Sequence, residues 1–430
     1  MAQRKVPLPR VPRPLKLLGR LIGLPINEVR SYWVQESRSI RTGSTALALG
    51  LGATLIAGIV LASAEDELEA IPGLLALIPA AIGMRGAIFG ALGSRLATGI
   101  ITGEFDKSLS RKSYLGRQIE ASTILSIASA TQAGLIAWAV SAAIPGLNTI
   151  PLIDLVAISL VGGMLSSLVL FVVVIVMARR SASVGFNLDD AGAPIITAAG
   201  DLITLPALLL ATLVLRIPEL STSLGILGLV GAVVVVIIGV RRRDALIRRV
   251  VRESMVVLTI AVTVDVLAGV VVESRAEQQF EAAALLVLIP PFIANCGSLG
   301  GMLSSRLASK LHVGQLDPKL IPGRLAILDL SLTTLLAALA FTGVGFAGWL
   351  AAVIVPGVTP LSLGATLSVT LLAGLFALPI LGLAAYASAA TSFHFGFDPD
   401  NHGIPVVTAT MDLTGVLCLV AAITLLQVGV

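Results

Sequence analysis

Charge is what this chain has least of. Only 13% of its 430 residues are Asp, Glu, Lys or Arg, about half the share a soluble domain carries, while 56% are hydrophobic and the mean hydropathy is +0.98. A soluble enzyme with appended anchors is excluded. Aromatic residues make up 4%, too few for the girdles of a transmembrane β-barrel, whose spans would also alternate with period two over about ten residues. Cys296 and Cys418 are the only cysteines and lie in separate apolar segments. That excludes a disulfide framework or a tetrahedral metal site and leaves packing as their role. The three histidines, His312, His394 and His402, fall in connections, so no imidazole cluster lies within the membrane. A secretory signal would place its apolar core within the first 15 to 30 residues or so. Here MAQRKVPLPRVPRPLK is basic and Pro-containing, the first long apolar run begins near Ser44, and the leader reads as a tail.

What the chain has is apolar runs of about 20 residues, rich in Leu, Val, Ile, Ala and Gly and separated by short charged clusters, as helices crossing a roughly 30 Å hydrocarbon core require. The expected class is an all-α integral membrane protein with eleven spans: 44–64, 71–94, 121–143, 153–177, 191–215, 223–240, 255–272, 282–305, 325–355, 361–389 and 404–430. With the N-terminus in the cytoplasm, 26 of the 29 Lys and Arg residues fall in cytoplasmic segments. Arg216 and Arg275 fall outside, and Arg85 lies within a span. The positive-inside rule then predicts a multi-pass protein of the cell membrane with its N-terminus cytoplasmic and its C-terminus extracellular. The net charge of +4 calls for no nucleic-acid partner. The basic clusters serve topology, and the leader can touch anionic lipid headgroups.

The segment LLALIPAAIGMRGAIFGALGSRLATGIITGEFD, from Leu74, aligns without gaps onto LLVLIPPFIANCGSLGGMLSSRLASKLHVGQLD, from Leu285, with 15 identities in 33 positions and an offset of 211. The same offset superimposes FNLDDAGAPIITAAGDL, from Phe186, onto FDPDNHGIPVVTATMDL, from Phe397. This is a duplication. Each copy holds five spans, so the extra span 223–240 keeps the copies parallel, related by an axis along the membrane normal. The expected organisation is a basic tail over 1–43, a first five-helix repeat over 44–220, a linking helix and basic loop over 221–254, and a second repeat over 255–430. The interface on the shared axis is the expected functional surface.

An ionisable residue inside a span costs about 2.5 to 3.5 kcal/mol on insertion scales. Asp201 and Asp412 each lie half way along a span, four residues after a Thr and seven after a Pro, one in each copy. Packed around a pseudo-twofold axis they would form a pair of facing carboxylates of the kind cation pathways use. Hydrogen bonding to a neighbouring helix is the simpler alternative. Pro194 and Pro405 remove backbone donors in the first turns of these helices, freeing carbonyls that can act as oxygen ligands. Asp189, Asp190, Asp398, Asp400 and Asn401 precede the same helices, where they can cap N-termini or gather cations at a pore mouth. The acidic stretch AEDELEA, with Glu65, Asp66, Glu67 and Glu69, reads as a solvated external turn that can also attract cations. Gly86, Gly90, Gly297, Gly300 and Gly301 permit close helix approach or a locally unwound backbone. Arg95 and Arg306 at the basic ends suit snorkelling toward lipid phosphate. Arg85 and Asp265 lie within spans without a counterpart in the other copy, and an ion pair between them is one role to test.

At these motifs, LIPAAIGMRGAIFGALGSRLAT and LIPPFIANCGSLGGMLSSRLAS on the second span of each copy, and DDAGAPIITAAGDLITLP and DPDNHGIPVVTATMDLTG on the fifth, the chain resembles the MgtE-type magnesium transporters. It is most similar to the two-repeat branch that includes eukaryotic solute carriers and archaeal proteins. The resemblance implies a non-enzymatic transporter with no permanently bound cofactor and Mg²⁺ as the transported ion. It implies a pore on the axis between two five-helix units, completed within one chain as a pseudo-dimer. Asp201 and Asp412 would be the ion-site residues, aided by the carbonyls of Thr197 and Thr408. Where family members often carry Gly-Asn on the second span, this chain has Gly86-Ala87 and Gly297-Ser298, and no cytoplasmic sensor region of the bacterial kind is seen. Two carboxylates and carbonyls without His or Cys suit a partly hydrated Mg²⁺ better than Zn²⁺, with Mn²⁺ and Co²⁺ as related candidates. A sodium- or proton-coupled carrier of another solute, using Asp265, is an alternative. An intramembrane aspartyl protease is another, but Ala-Gly-Asp201 and Thr-Met-Asp412 lack the Tyr-Asp and Gly-Leu-Gly-Asp pairs of such enzymes.

Overall fold

A computed structural model describes residues 25–184, 188–279, 286–312, 314–317, 322–355, 360–395 and 403–428, and every regular element among them is helical. In chain order these are α1 (Ile26–Gln35), α2 (Ser37–Ser63), the short α3 (Glu65–Ala70), α4 (Leu74–Ile101), α5 (Tyr114–Ala143), α6 (Leu152–Val184) and α7 (Leu188–Ala211). A 3₁₀ turn (Thr212–Arg216) leads to α8 (Pro218–Arg241), α9 (Ala245–Gln279), α10 (Ile289–His312), α11 (Arg324–Ile354), α12 (Leu363–Phe395) and α13 (Ile404–Leu426).

Ten of the eleven long helices are apolar and long enough to cross a membrane. The exception is α10, which carries Asn295, several Gly and Ser residues, Arg306 and Lys310. It packs against α2, α11, α12 and α13, which bury Asn295 and Ser304 among protein rather than lipid.

Three expectations change in detail. The stretch read as a tail is helical from Ile26 onward, and α2 begins at Ser37 rather than near Ser44. The eighth span starts at Ile289 instead of residue 282, with Pro290 and Pro291 in its first turn, where prolines cost no intrahelical bond. The acidic external turn is in part the helix α3.

The two copies pack alike. In the first, α4 lies against α7, α5 against α6, and α6 against α7; in the second, α10 lies against α13, α11 against α12, and α12 against α13. The leading helix of each copy crosses to the other. α2 packs on its own α7 and on α10 and α11, and α9 packs on its own α13 and on α4 and α5. One glycine on each crossing helix permits this: a Cβ at Gly58 would strike the Val287 carbonyl, and one at Gly269 would strike the Ala76 carbonyl. Both pairs obey the 211 offset, which carries the repeat into the first spans. At the far end of α9, Glu273 accepts a 2.6 Å bond from the amide of Gly73, which precedes α4 with φ of +90°.

The linking helix α8 lies on the perimeter. Ser221, Gly225, Gly228 and Gly239 form its buried face, against α5 and α6, while Leu227, Val230, Val233, Ile237 and Ile238 are exposed, as lipid contact requires.

α1 docks on the second copy at its basic end. The Tyr32 hydroxyl donates to Asp329 Oδ1 at 2.5 Å, and Trp33 Nε1 donates to the Ser331 hydroxyl at 3.1 Å. Burial and the Asp329 carboxylate push the Tyr32 hydroxyl well above its ordinary pKa, so it stays a donor. Glu28 pairs with Arg324.

Candidate functional site

The carboxylates singled out in the sequence come from three helices. Asp201 lies on α7 and is 6% exposed. Asp412 lies on α13 and is partly accessible. Asp265, on the crossing helix α9, is 1% exposed. Asp412 is the middle member: its carboxylate is within hydrogen-bonding range of Asp265 and within electrostatic reach of Asp201. Among the described residues no Lys, Arg or His forms an ion pair with any of the three.

Glycines make the room. Gly86 on α4 faces Thr197 of α7, whose Cγ2 would lie 3.7 Å from a Cβ there, and Thr197 Oγ1 lies 4.0 Å from the same point at Gly90. In the second copy Gly297 on α10 faces Thr408, with Cβ and Cγ2 at 3.7 Å from the point, and Asp412, with Oδ1 at 3.4 Å. Gly301, the counterpart of Gly90, is buried. The motif glycines of the second span therefore face the Thr of the fifth in both copies, and in the second copy Gly297 faces Asp412 as well. Gly83, which sequence reasoning passed over, is tighter: a Cβ there would enter the Asp265 carboxylate and lie 3.6 Å from Asp412 Oδ2.

The Thr408 hydroxyl donates to the Pro405 carbonyl at 3.0 Å, taking up one of the carbonyls near the helix start. Pro405 is in the first turn of α13, whereas Pro194 lies further into α7 because that helix begins at Leu188. For the same reason Asp189 and Asp190 sit in the first turn of α7 rather than in a loop before it. Asp398, Asp400 and Asn401 lie outside the described residues.

Two other expectations are revised. Arg85 does not pair with Asp265: its Nη1 donates to the Ser167 hydroxyl of α6 at 2.6 Å, and it is fully buried in the first copy. The matched arginines do not snorkel. Arg95 Nε donates to Gln118 Oε1 at 2.8 Å, and Arg306 donates to Asp329 Oδ1 at 2.8 and 3.0 Å, with Lys310 Nζ bound to Asp329 Oδ2 at 2.5 Å.

Among the described residues no three His, Cys, Asp or Glu side chains converge tightly enough to hold a bare metal ion. Carboxylates without His or Cys form a hard-oxygen environment, the ligand type that Mg²⁺ prefers. A partly open cleft lined by Ala87, Ala91 and Arg95 of α4, Ser254 and Val257 of α9, and Pro405 of α13 lies between the helices that carry the site.

The family model of the MgtE divalent cation transporters matches residues 78–211 and 289–422, two stretches offset by the same 211 residues and each running from the second span of a copy to its fifth. The rat protein "Solute carrier family 41 member 3" is 25% identical over 392 residues, covering 85% of this chain and 82% of its own length. Its mouse counterpart is 25% identical over 363 residues, covering 80% and 73%. No solved structure matches the chain. With both copies matched, the chain belongs to the MgtE family, whose members are divalent cation transporters and not enzymes.

Proposed function

We propose that this chain carries Mg²⁺ across the membrane along a path between its two copies, with Asp201 and Asp412 attracting a partly hydrated ion. One observation carries the reading: two repeat-related carboxylates lie inside an apolar bundle, and among the described residues neither has a basic partner. An unpaired charge in such a place is costly, and a mobile cation offsets the cost. The carbonyls of Thr197 and Thr408 add oxygen ligands, and Asp189, Asp190, Asp398, Asp400 and Asn401 gather cations at the entrance. The charge count favours an N-terminus in the cytoplasm and a C-terminus outside. Because both copies are in one chain, a single polypeptide holds a complete pseudo-dimeric pathway, surrounded by lipid.

A divalent ion about 5 Å from a carboxylate, with water between, gains about 6 kcal/mol at an effective dielectric of 20, before desolvation offsets much of it. If about 2 to 3 kcal/mol of this survives in the rate-limiting barrier, loss of one carboxylate slows transport about 30- to 150-fold. Mg²⁺ uptake into proteoliposomes by Asp201→Asn, Asp412→Asn and the double variant, each confirmed as folded, tests this. The double variant is expected to be little worse than either single, because the pair acts as a unit. Near-normal uptake by either single variant would sink the paired site.

A further inference from the structure

We propose that Asp265 is a third carboxylate of the ion site, so that the transported divalent cation is held off the pseudo-twofold axis, on the side where α9 meets α13. The inference rests on the reading of Asp412 as an ion-site residue and deepens it.

Asp265 stands beside Asp412 where α9 packs on its own α13, and against Gly83 where α9 crosses to α4 of the first copy. It is 1% exposed, and its Oδ1 atom is buried without a hydrogen-bond partner. The rest of the carboxylate is pressed against Gly83 of α4 and within hydrogen-bonding range of Asp412 of α13. Each helix that packs on α9 here supplies either more negative charge or none. α13 brings Asp412, and α4 brings the bare backbone of Gly83, with the neighbouring Arg85 guanidinium turned away to Ser167. From α5 comes the neutral Gln132, engaged with Thr259 a turn and a half earlier on α9. Two adjacent carboxylates with no fixed cation repel each other, and one has an oxygen left unsatisfied. A cation between them removes both costs.

The repeat shows that this feature belongs to one side. The 211 offset places Thr54 of α2 where α9 has Asp265, in the register fixed by the Gly58 and Gly269 contacts. Thr54 is 1% exposed, and its hydroxyl is spent inside its own helix, donating to Gly50 O at 2.9 Å and Leu51 O at 3.3 Å. The matching position of the first copy therefore carries no carboxylate. The site thus has the carboxylates of Asp412 and Asp265 on one side and Asp201 alone on the other.

The test measures Mg²⁺ concentration dependence of uptake in proteoliposomes, together with the Mg²⁺-induced rise in thermal midpoint of the purified protein in detergent. The variants are Asp265→Asn, Asp265→Glu, Asp412→Asn and Thr54→Ala. Asp265→Asn is expected to raise the half-saturating Mg²⁺ concentration about tenfold or more, equivalent to about 1.4 kcal/mol of binding, and to shrink the thermal protection. Thr54→Ala should leave both unchanged. A residue that only packed against Asp412 would lower the midpoint without Mg²⁺ and leave the Mg²⁺-induced rise intact, and that result overturns the proposal. So does a wild-type concentration dependence in Asp265→Asn when Asp412→Asn is defective, an outcome that spares the Asp201 and Asp412 pair. A normal Asp412→Asn instead removes the reading underneath. Where Asp265→Asn does not fold, Asp265→Glu decides: its longer side chain keeps the charge but moves it, so the preference for Mg²⁺ over the larger Mn²⁺ and Ca²⁺ should shift, and an unchanged preference overturns the assignment.

Discussion

Asp329 does for the second copy what Gln118 does for the first. The two positions are 211 residues apart, and each receives the Nε–H of the matched arginine, Arg306 or Arg95. The substitution of an acid for an amide has consequences. Asp329 also binds Lys310 and Tyr32, so three donors converge on one fully buried carboxylate, while Gln118 is uncharged and receives Arg95. Removing a buried carboxylate strands its partners, but the side chains of Arg306 and Lys310 keep 22% and 16% of their surface exposed. Asp329→Asn should therefore cost about 2 to 4 kcal/mol, below the top of the range for buried pairs, and Gln118→Ala about 1 to 2 kcal/mol. Thermal midpoints of the purified variants check the order; a larger loss at Gln118 would contradict it. Asp201 and Asp412 stand out in the sequence because an acid in an apolar span is rare and the repeat shows it twice. Asp265 stands out only as an oddity. Its neighbour Asp412 is 147 positions away, and Gly83, against which it lies, has Ala294 as its counterpart, so no repetition marks the spot.

At the level of helices, the spans are legible because hydropathy over 20 residues is a strong, local signal. What the sequence hides is held by contacts between distant segments. α1 has only ten residues, too short to be stable alone, and is fixed by Tyr32 and Trp33 on α10 and α11. The crossing of α2 and α9 is equally silent, since a glycine that touches a far backbone reads like any other. Such glycines can be told apart by substitution. Gly58→Leu and Gly269→Leu place a side chain into a backbone carbonyl and should destabilise the protein by about 1 to 3 kcal/mol or more. Gly231→Ala on α8, with open space around it, should be neutral or stabilising by about 0.5 to 1 kcal/mol. Fluorescence-detected gel filtration after a heating series would rank them, and equal loss in all three would refute the packing account.

For the molecule as a whole, the charge distribution predicts sidedness. A cysteine at the C-terminus should react with an impermeant thiol reagent from outside the cell, and one beside Arg243 only from the cytoplasm. Labelling of the C-terminus from inside would overturn both the orientation and the parallel arrangement of the copies. The exchange of leading helices also sets an order of assembly. α2 is made before the other described spans, yet α10 and α11, on which it comes to rest, are made only after more than half the chain has followed. Until then α2 lacks that support, and the face of α4 and α5 that will receive α9 is open. Neither copy can be finished before the other has begun, so the contacts of α2 with α10 and α11 and of α9 with α4 and α5 tie completion of each half to synthesis of the other.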